Sequence, residues 1–198
     1  MPVRKIASHY ILNPDGSIGK SPIVTFSENG QLLSVSISQD KLIEQPSLEF
    51  YGGLLIPGLI DDFAEFDAID NYSAETALNR HFASGTFMLR CSERFLSSRE
   101  KKPVLYCSSA NIICNSPLSA KTTLPLFERI KHISLHKAQD FLPKLLHTAT
   151  TVSACNAGVS NIAGSFVAGL YPALLVIENM NLAEMKLTVE SRIKWLIN

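Results

Sequence analysis

The stretch Gly52-Gly53-Leu54-Leu55-Ile56-Pro57-Gly58-Leu59-Ile60-Asp61-Asp62-Phe63-Ala64-Glu65-Phe66-Asp67 decides how the rest of the chain is read. From Leu48 to Ile60 the side chains are almost continuously apolar, as expected of a strand covered on both faces. The architecture changes after Pro57-Gly58, where Asp61, Asp62, Glu65 and Asp67 form an acidic cluster with Asp70. On an extended segment Asp61, Glu65 and Asp67 point the same way. Carboxylates so placed could hold Mg²⁺ or Ca²⁺ through oxygen ligands. The other reading is a solvated strand-to-helix loop, with aspartate near a helix N-terminus. No Asp-x-Asp-x-Asp-Gly loop accompanies the cluster.

Upstream, the first fifty residues read as β-structure. Apolar runs over Ile6 to Leu12, Pro22 to Phe26 and Leu32 to Ile37 are divided by Asn13-Pro14-Asp15-Gly16 and Glu28-Asn29-Gly30. Asn29-Gly30 predicts a hairpin with a type I′ turn. Ser34 to Ser38 alternates with period two, which predicts a sheet with one buried face. Downstream, Ala74, Ala77, Leu78 and Phe82 recur at helical spacing and Gly85 follows as a C-terminal cap, predicting a helix over 73–83. Thr86 to Leu89 and Val104 to Ser108 read as strands. Leu124 to Ile130 reads as a short helix, and Lys137 to Val152 as a longer one with Phe141, Leu145, Leu146 and Ala149 on one stripe. Pro143 confines the regular part of that helix to its C-terminal side. In the tail, Gly164 to Gly169 predicts a tight turn and Ala173 to Ile177 a buried strand. Thr188 to Ser191 predicts the start of a last helix that ends at Trp195-Leu196-Ile197.

Composition narrows the function classes. The 18 basic and 18 acidic side chains give a formal net charge of zero, so no long-range field favours nucleic acid or an anionic membrane, and neither partner is expected. With 18% charged residues and a mean hydropathy of +0.13, the surface is lean in charge, and an apolar patch shared with a second copy is expected. The first twenty residues hold no apolar signal core, and no apolar run approaches bilayer length, so the chain reads as cytoplasmic. Cys91, Cys107, Cys114 and Cys155 lack zinc-knuckle or Cys-x-x-Cys spacing and read as buried thiols, Cys107 within a strand.

Three separated pieces resemble amidohydrolase-superfamily enzymes of the cytosine-deaminase and chlorohydrolase type. Leu48 to Asp67 is similar to their entry into the first barrel strand. Val104-Leu105-Tyr106-Cys107-Ser108-Ser109-Ala110-Asn111 is similar to a late-barrel strand with its Cys-Pro-x-Ala-Asn stretch. Leu146 to Thr150, Gly164 to Gly169 and Pro172 to Ile177 resemble the C-terminal helix and the strand that completes a small β-sandwich. The resemblance implies a mixed α/β (α+β) chain. Residues 1–55 with 160–198 would form a composite β-sandwich, and 56–159 an inserted, incomplete α/β-barrel remnant of about three strands, since a closed barrel takes about 250 residues.

Carried over residue by residue, the family's metal-binding His-x-His falls on Phe63 and Glu65. The mid-barrel carboxylate or modified lysine and the two later histidines have no counterpart, because the interval from Arg90 to Val104 is too short for their strands. Between Asn111 and Leu146, where a water-orienting aspartate is implied, only Asp140 occurs. The expectation is therefore a catalytically inactive relative with a structural or ligand-binding role, with no catalytic residue, metal or cofactor. It would be a homodimer that covers its open sheet edges, with a small molecule as a further candidate ligand. The alternative is an active hydrolase of a cyclic amide or nucleobase-like substrate that uses a rebuilt site on Asp61, Asp62, Glu65 and Asp67, with His81.

Other chemistry is sparsely marked. His132 and His136 stand four apart, a zinc-chelating spacing if helical, but read more simply as surface or packed imidazoles. No Gly-x-Ser-x-Gly elbow and no glycine-rich phosphate loop occurs. Phe63, Phe66, Phe82, Phe87 and Phe95 read as core, with a pocket lining as the other reading.

Overall fold

The computed structural model describes residues 3–37, 46–66, 71–93, 104–108, 110–113, 116–119, 124–136 and 141–197. Strands β1 (Val3–Leu12), β2 (Ile18–Lys20), β3 (Pro22–Ser27), β4 (Leu32–Ile37) and β5 (Leu48–Ile56) come from the first part of the chain. β9 (Leu174–Glu178) and β10 (Arg192–Ile197) come from its end. Together they make one seven-stranded sheet, ordered β10-β9-β5-β1-β3-β4 with β2 paired to β1. β4 and β10 lie at opposite ends of that order, yet Leu32 and Leu196 share one buried cluster with Phe26, Val176 and Phe166. The sheet is therefore folded over onto itself in a sandwich-like way. Arg4 fastens the closure: it donates to the Leu196 carbonyl, and its Nε and Nη2 bond both Glu49 carboxylate oxygens at 2.7 and 2.8 Å.

That clamp sets an acid limb. The Arg4 hydrogen bond holds the Glu49 carboxyl down at about 2, against an ordinary 4.5. A carboxyl depressed in the folded state stabilises above its unfolded value and loses that contribution as pH falls from 4.5 towards about 2. Both side chains are more than a third exposed, so solvent screening limits the effect to below about 1 kcal/mol. Glu49→Gln is expected to flatten the stability–pH curve between pH 4.5 and about 2 by that amount, read from urea midpoints.

Pro57-Gly58 ends β5 and passes the chain to a second sheet. β6 (Leu59–Phe66), β7 (Thr86–Cys91) and β8 (Val104–Tyr106) are parallel, in that order. Helix α1 (Asn71–Ala83) makes the β6–β7 crossover, so the strand–helix–strand unit expected from the sequence forms. Ala74 and Leu78 of α1 pack on Phe66, Leu89 and Cys91. Helix α2 (Leu126–Leu135) follows, then α3 (Phe141–His147), a π-helical turn (Thr148–Val152) and α4 (Ser153–Ala157). Pro143 sits in the first turn of α3, where its missing amide hydrogen costs nothing. Within the π-turn, Thr150 Oγ1 donates back to the Leu146 carbonyl at 2.7 Å. Gly158, at φ 74°, caps α4 in the left-handed conformation. The main core joins Leu54, Ile56, Leu175 and Ile177 of the large sheet to Leu126, Ile130, Leu145 and Leu146 of α2 and α3.

Several expectations are corrected. Residues 188–191 form a turn, with Ser191 Oγ accepting from the Thr188 amide at 2.8 Å and donating to the Asn179 carbonyl at 3.0 Å. The segment beyond is strand β10, because β9 offers it a ladder. The hydroxyls that resemble a helix cap thus serve a loop. The Asn29-Gly30 hairpin forms, but only Gly30 has positive φ, and its amide donates to the Ser27 carbonyl at 3.1 Å. That is a type I turn with a glycine bulge, not type I′. β4 is an edge strand, and of its alternating run Val35 packs, partly buried, against the core while Ile37 is exposed, so the face expected to be buried is covered only in part. Cys91 is buried, but Cys107 and Cys155 are exposed, and Cys107 lies just past β8. Asp70, Phe95, Cys114 and Asp140 lie outside the described residues.

Candidate functional site

The one dense collection of buried polar side chains among the described residues lies around β6. Asp61 is 1% exposed and Asp62 is fully buried, so the solvated-loop reading of this pair does not hold. Neighbouring residues of a strand face opposite ways, and these two carboxylates meet different partners. Asp61 forms a buried ion pair with Arg129 of α2. His81 of α1 stands nearby, its Nδ1 3.9 Å from Asp61 Oδ2. Arg129 Nη1 also donates to the Leu118 carbonyl at 2.8 Å. Its Nε is buried without a hydrogen-bond acceptor among the described residues.

Asp62 is ringed by donors. Arg90 Nε, from β7, lies 2.5 Å from Oδ1, and Tyr106 of β8 donates to the same oxygen at 3.0 Å. Asn156 of α4 donates to Oδ2 and to the Asn111 carbonyl at 3.1 Å. Arg90 Nη2 donates to the Ala110 carbonyl at 2.8 Å. Burial, reinforced by the Asp62 charge, pushes the Tyr106 phenol far above its ordinary value, so it remains a donor at any physiological pH. Three other elements, β7, β8 and α4, thus send donors to Asp62, and both its carboxylate oxygens are engaged.

Phe63 is buried in the main core with Leu59, Leu126 and Ile130. Asp67 and the side chain of Glu65 lie outside the described residues. The aromatics that are described act as packing: Phe66 lies against α1, and Phe82 stacks on Trp195 with centroids 4.7 Å apart. His132 lies on α2 and His136 caps it, their rings 5.2 Å apart.

The family resembled here binds a divalent metal at this end of β6, and the donors among the described residues do not fit one. A metal needs unprotonated, uncommitted ligands. Here each buried carboxylate already faces its own guanidinium, and the described residues contain no group of three His, Cys, Asp or Glu placed to hold an ion. Arg90, Arg129, Tyr106 and Asn156 were not singled out from the sequence. The available signal was an arginine closing the apolar run Thr86-Phe87-Met88-Leu89, and another within the apolar Leu126-Phe127-Glu128-Arg129-Ile130.

No protein-family profile and no curated protein matches the chain. Among solved structures, a candidate prolidase from Bifidobacterium longum superposes with a TM-score of 0.63 at 10% identity, over 92% of this chain and 90% of that one. A Xaa-Pro dipeptidase with bound methionine aligns at a TM-score of 0.38 and 10% identity, over 54% of this chain and 33% of its own. Ochratoxinase from A. niger gives 0.37 and 18%, over 55% and 31%. The chain thus spans about a third of these two enzymes. The fold is shared with the Bifidobacterium protein over nearly the whole length, and at 10% identity the likeness concerns the fold alone.

Proposed function

We propose that this chain is an amidohydrolase-like protein that has kept the scaffold without the hydrolytic reaction, and serves a structural or ligand-binding role. The observation that carries the reading is the pairing of both buried β6 carboxylates with buried arginines. A general base or metal ligand must be able to accept a proton or a cation. Asp61 and Asp62 have that capacity already neutralised. Residues 1–55 with 160–198 then form the composite β-unit, and 56–159 a shortened remnant of the barrel. The Bifidobacterium chain, close to this one in length, supports the short form as a recurring one. Among the described residues β6 and β8 pair with no further strand, which supports a homodimer, and the balanced charge supports a role away from nucleic acid and membranes, in the cytoplasm. Among the described residues no helix is long and apolar enough to cross a membrane.

One observation favours a second reading. His81 and Asp61 are both buried and 3.9 Å apart, an arrangement that a rebuilt acid–base site would use, with Glu65 and Asp67 as further carboxylates. Hydrolysis assays separate the two. Xaa-Pro dipeptides, N-acyl amino acids and cyclic amides, with added Zn²⁺ or Mn²⁺, are expected to give no turnover above a heat-denatured control. Turnover that His81→Ala abolishes while the fold persists would establish the rebuilt site.

A further inference from the structure

The three-stranded sheet brings two cysteines side by side. β7 and β8 run parallel, with Met88 opposite Val104, Leu89 opposite Leu105 and Arg90 opposite Tyr106, so the next step of the register sets Cys91 opposite Cys107. Neighbouring residues of a strand face opposite ways. Arg90 and Tyr106 accordingly turn to Asp62, while Cys91 joins the cluster against α1. Leu105 packs on that cluster too, and Cys107 follows it by two residues, on the same side.

Side-chain contacts tie the pair together. Cys107 Sγ donates to the Cys91 carbonyl at 2.9 Å, and Cys91 Sγ donates to the Tyr106 carbonyl at 3.8 Å. Each sulfur therefore lies against main chain of the segment that carries the other. Residues paired across adjacent strands have Cα atoms about 5 Å apart, inside the roughly 4.4–6.8 Å that a disulfide spans. Access to the two differs, since Cys107 is exposed and Cys91 is 1% exposed.

We propose that Cys91 and Cys107 form a reversible oxidation site whose reactant is a small-molecule disulfide of the glutathione disulfide type. The exposed Cys107, as thiolate, attacks one sulfur of that disulfide, forming a mixed disulfide and releasing one small thiol. Cys91 then attacks the Cys107 sulfur, which closes the Cys91–Cys107 bond and releases the second small thiol. The two electrons of the pair reduce the small disulfide, and its two thiol protons end on the released thiols. Excess small thiol reverses both steps. The bond staples β8 to β7 behind Arg90 and Tyr106, the residues that hold Asp62. The proposal is independent of whether the β6 cluster hydrolyses anything.

Incubation of the full folded chain in glutathione buffers of increasing disulfide content, followed by acid quench, alkylation and peptide mapping with fragmentation, tests this. Of the pairings open to the four cysteines, Cys91–Cys107 is expected to exceed any other at least tenfold, and to disappear in excess glutathione. Cys91→Ala is expected to stop at glutathione on Cys107. Cys107→Ser, at an exposed position, is expected to fold normally by circular dichroism and to leave Cys91 reduced. A folded native chain that retains glutathione on Cys107, pairs other cysteines preferentially, or forms the Cys91–Cys107 bond only in urea would overturn the proposal.

Discussion

Arg90→Met is expected to destabilise the protein by about 3–5 kcal/mol, because removing one member of a buried ion pair leaves the other as an uncompensated buried charge. Asp62 is fully buried, and Arg90 is its only ionic partner among the ion pairs described. Tyr106 and Asn156 donate hydrogen bonds but bring no positive charge. Global stabilities are typically about 5–15 kcal/mol, so such a loss is a large part of the total. It is read from the denaturation midpoint in guanidinium chloride at constant slope. Asp62→Asn in the same molecule is expected to recover at least half of the loss, since the amide oxygen still accepts from Tyr106 and no buried charge remains. A single substitution costing below about 1 kcal/mol would mean that Asp62 reaches water or holds a proton.

The second large effect lies in the composite sheet. Gly53 has φ 143°, and a Cβ built there falls 2.1 Å from the Ile177 carbonyl oxygen and 3.0 Å from its carbon. Backbone of β9 cannot give way without breaking the β5–β9 ladder, which pairs Leu54 with Ile177. Gly53 also donates its amide to His9 Nδ1 at 3.1 Å and offers its carbonyl to Ser8 Oγ at 2.9 Å, where the β1–β5 register shifts. Conformational strain and overpacking together are expected to make Gly53→Ala cost about 3 kcal/mol or more. Gly169→Ala is the control, since its φ is 94° but an added Cβ meets nothing within 4 Å. It is expected to cost about 1 kcal/mol, from conformation alone. Thermal or denaturant unfolding of the two variants side by side checks the difference.

What the sequence made legible follows the physics of local signals. The apolar run Leu48 to Ile60, its break at Pro57-Gly58, and the strand–helix–strand pattern to Leu89 are carried by hydrophobic period and turn chemistry, and they appear where expected. The tail was misread because Thr188 and Ser191 satisfy a loop as readily as a helix terminus, and only the neighbouring strand β9 decides between them. The candidate site was legible in half. The acidic pair and the apolar Phe63 beside it can be read along the chain. The cations that neutralise the pair cannot, because Arg90 and Arg129 stand 28 and 68 residues from their carboxylates. A charged residue on an apolar stripe signals a buried partner, but its identity is a tertiary fact. The cysteines show the same limit, since Cys107 and Cys155 look apolar in sequence yet lie exposed.

Arg90 and Arg129 each neutralise a buried carboxylate of β6, and the proposed loss of the hydrolytic reaction rests on that pairing. The most direct measurement is the metal content of protein purified without chelator, by inductively coupled plasma mass spectrometry, followed by titration with Zn²⁺ and Mn²⁺ while unfolding temperature is monitored. Far less than one metal per chain and no saturable rise in unfolding temperature are expected. One equivalent of tightly held metal, lost when Asp61 or Asp62 is replaced by asparagine, would contradict the proposed loss.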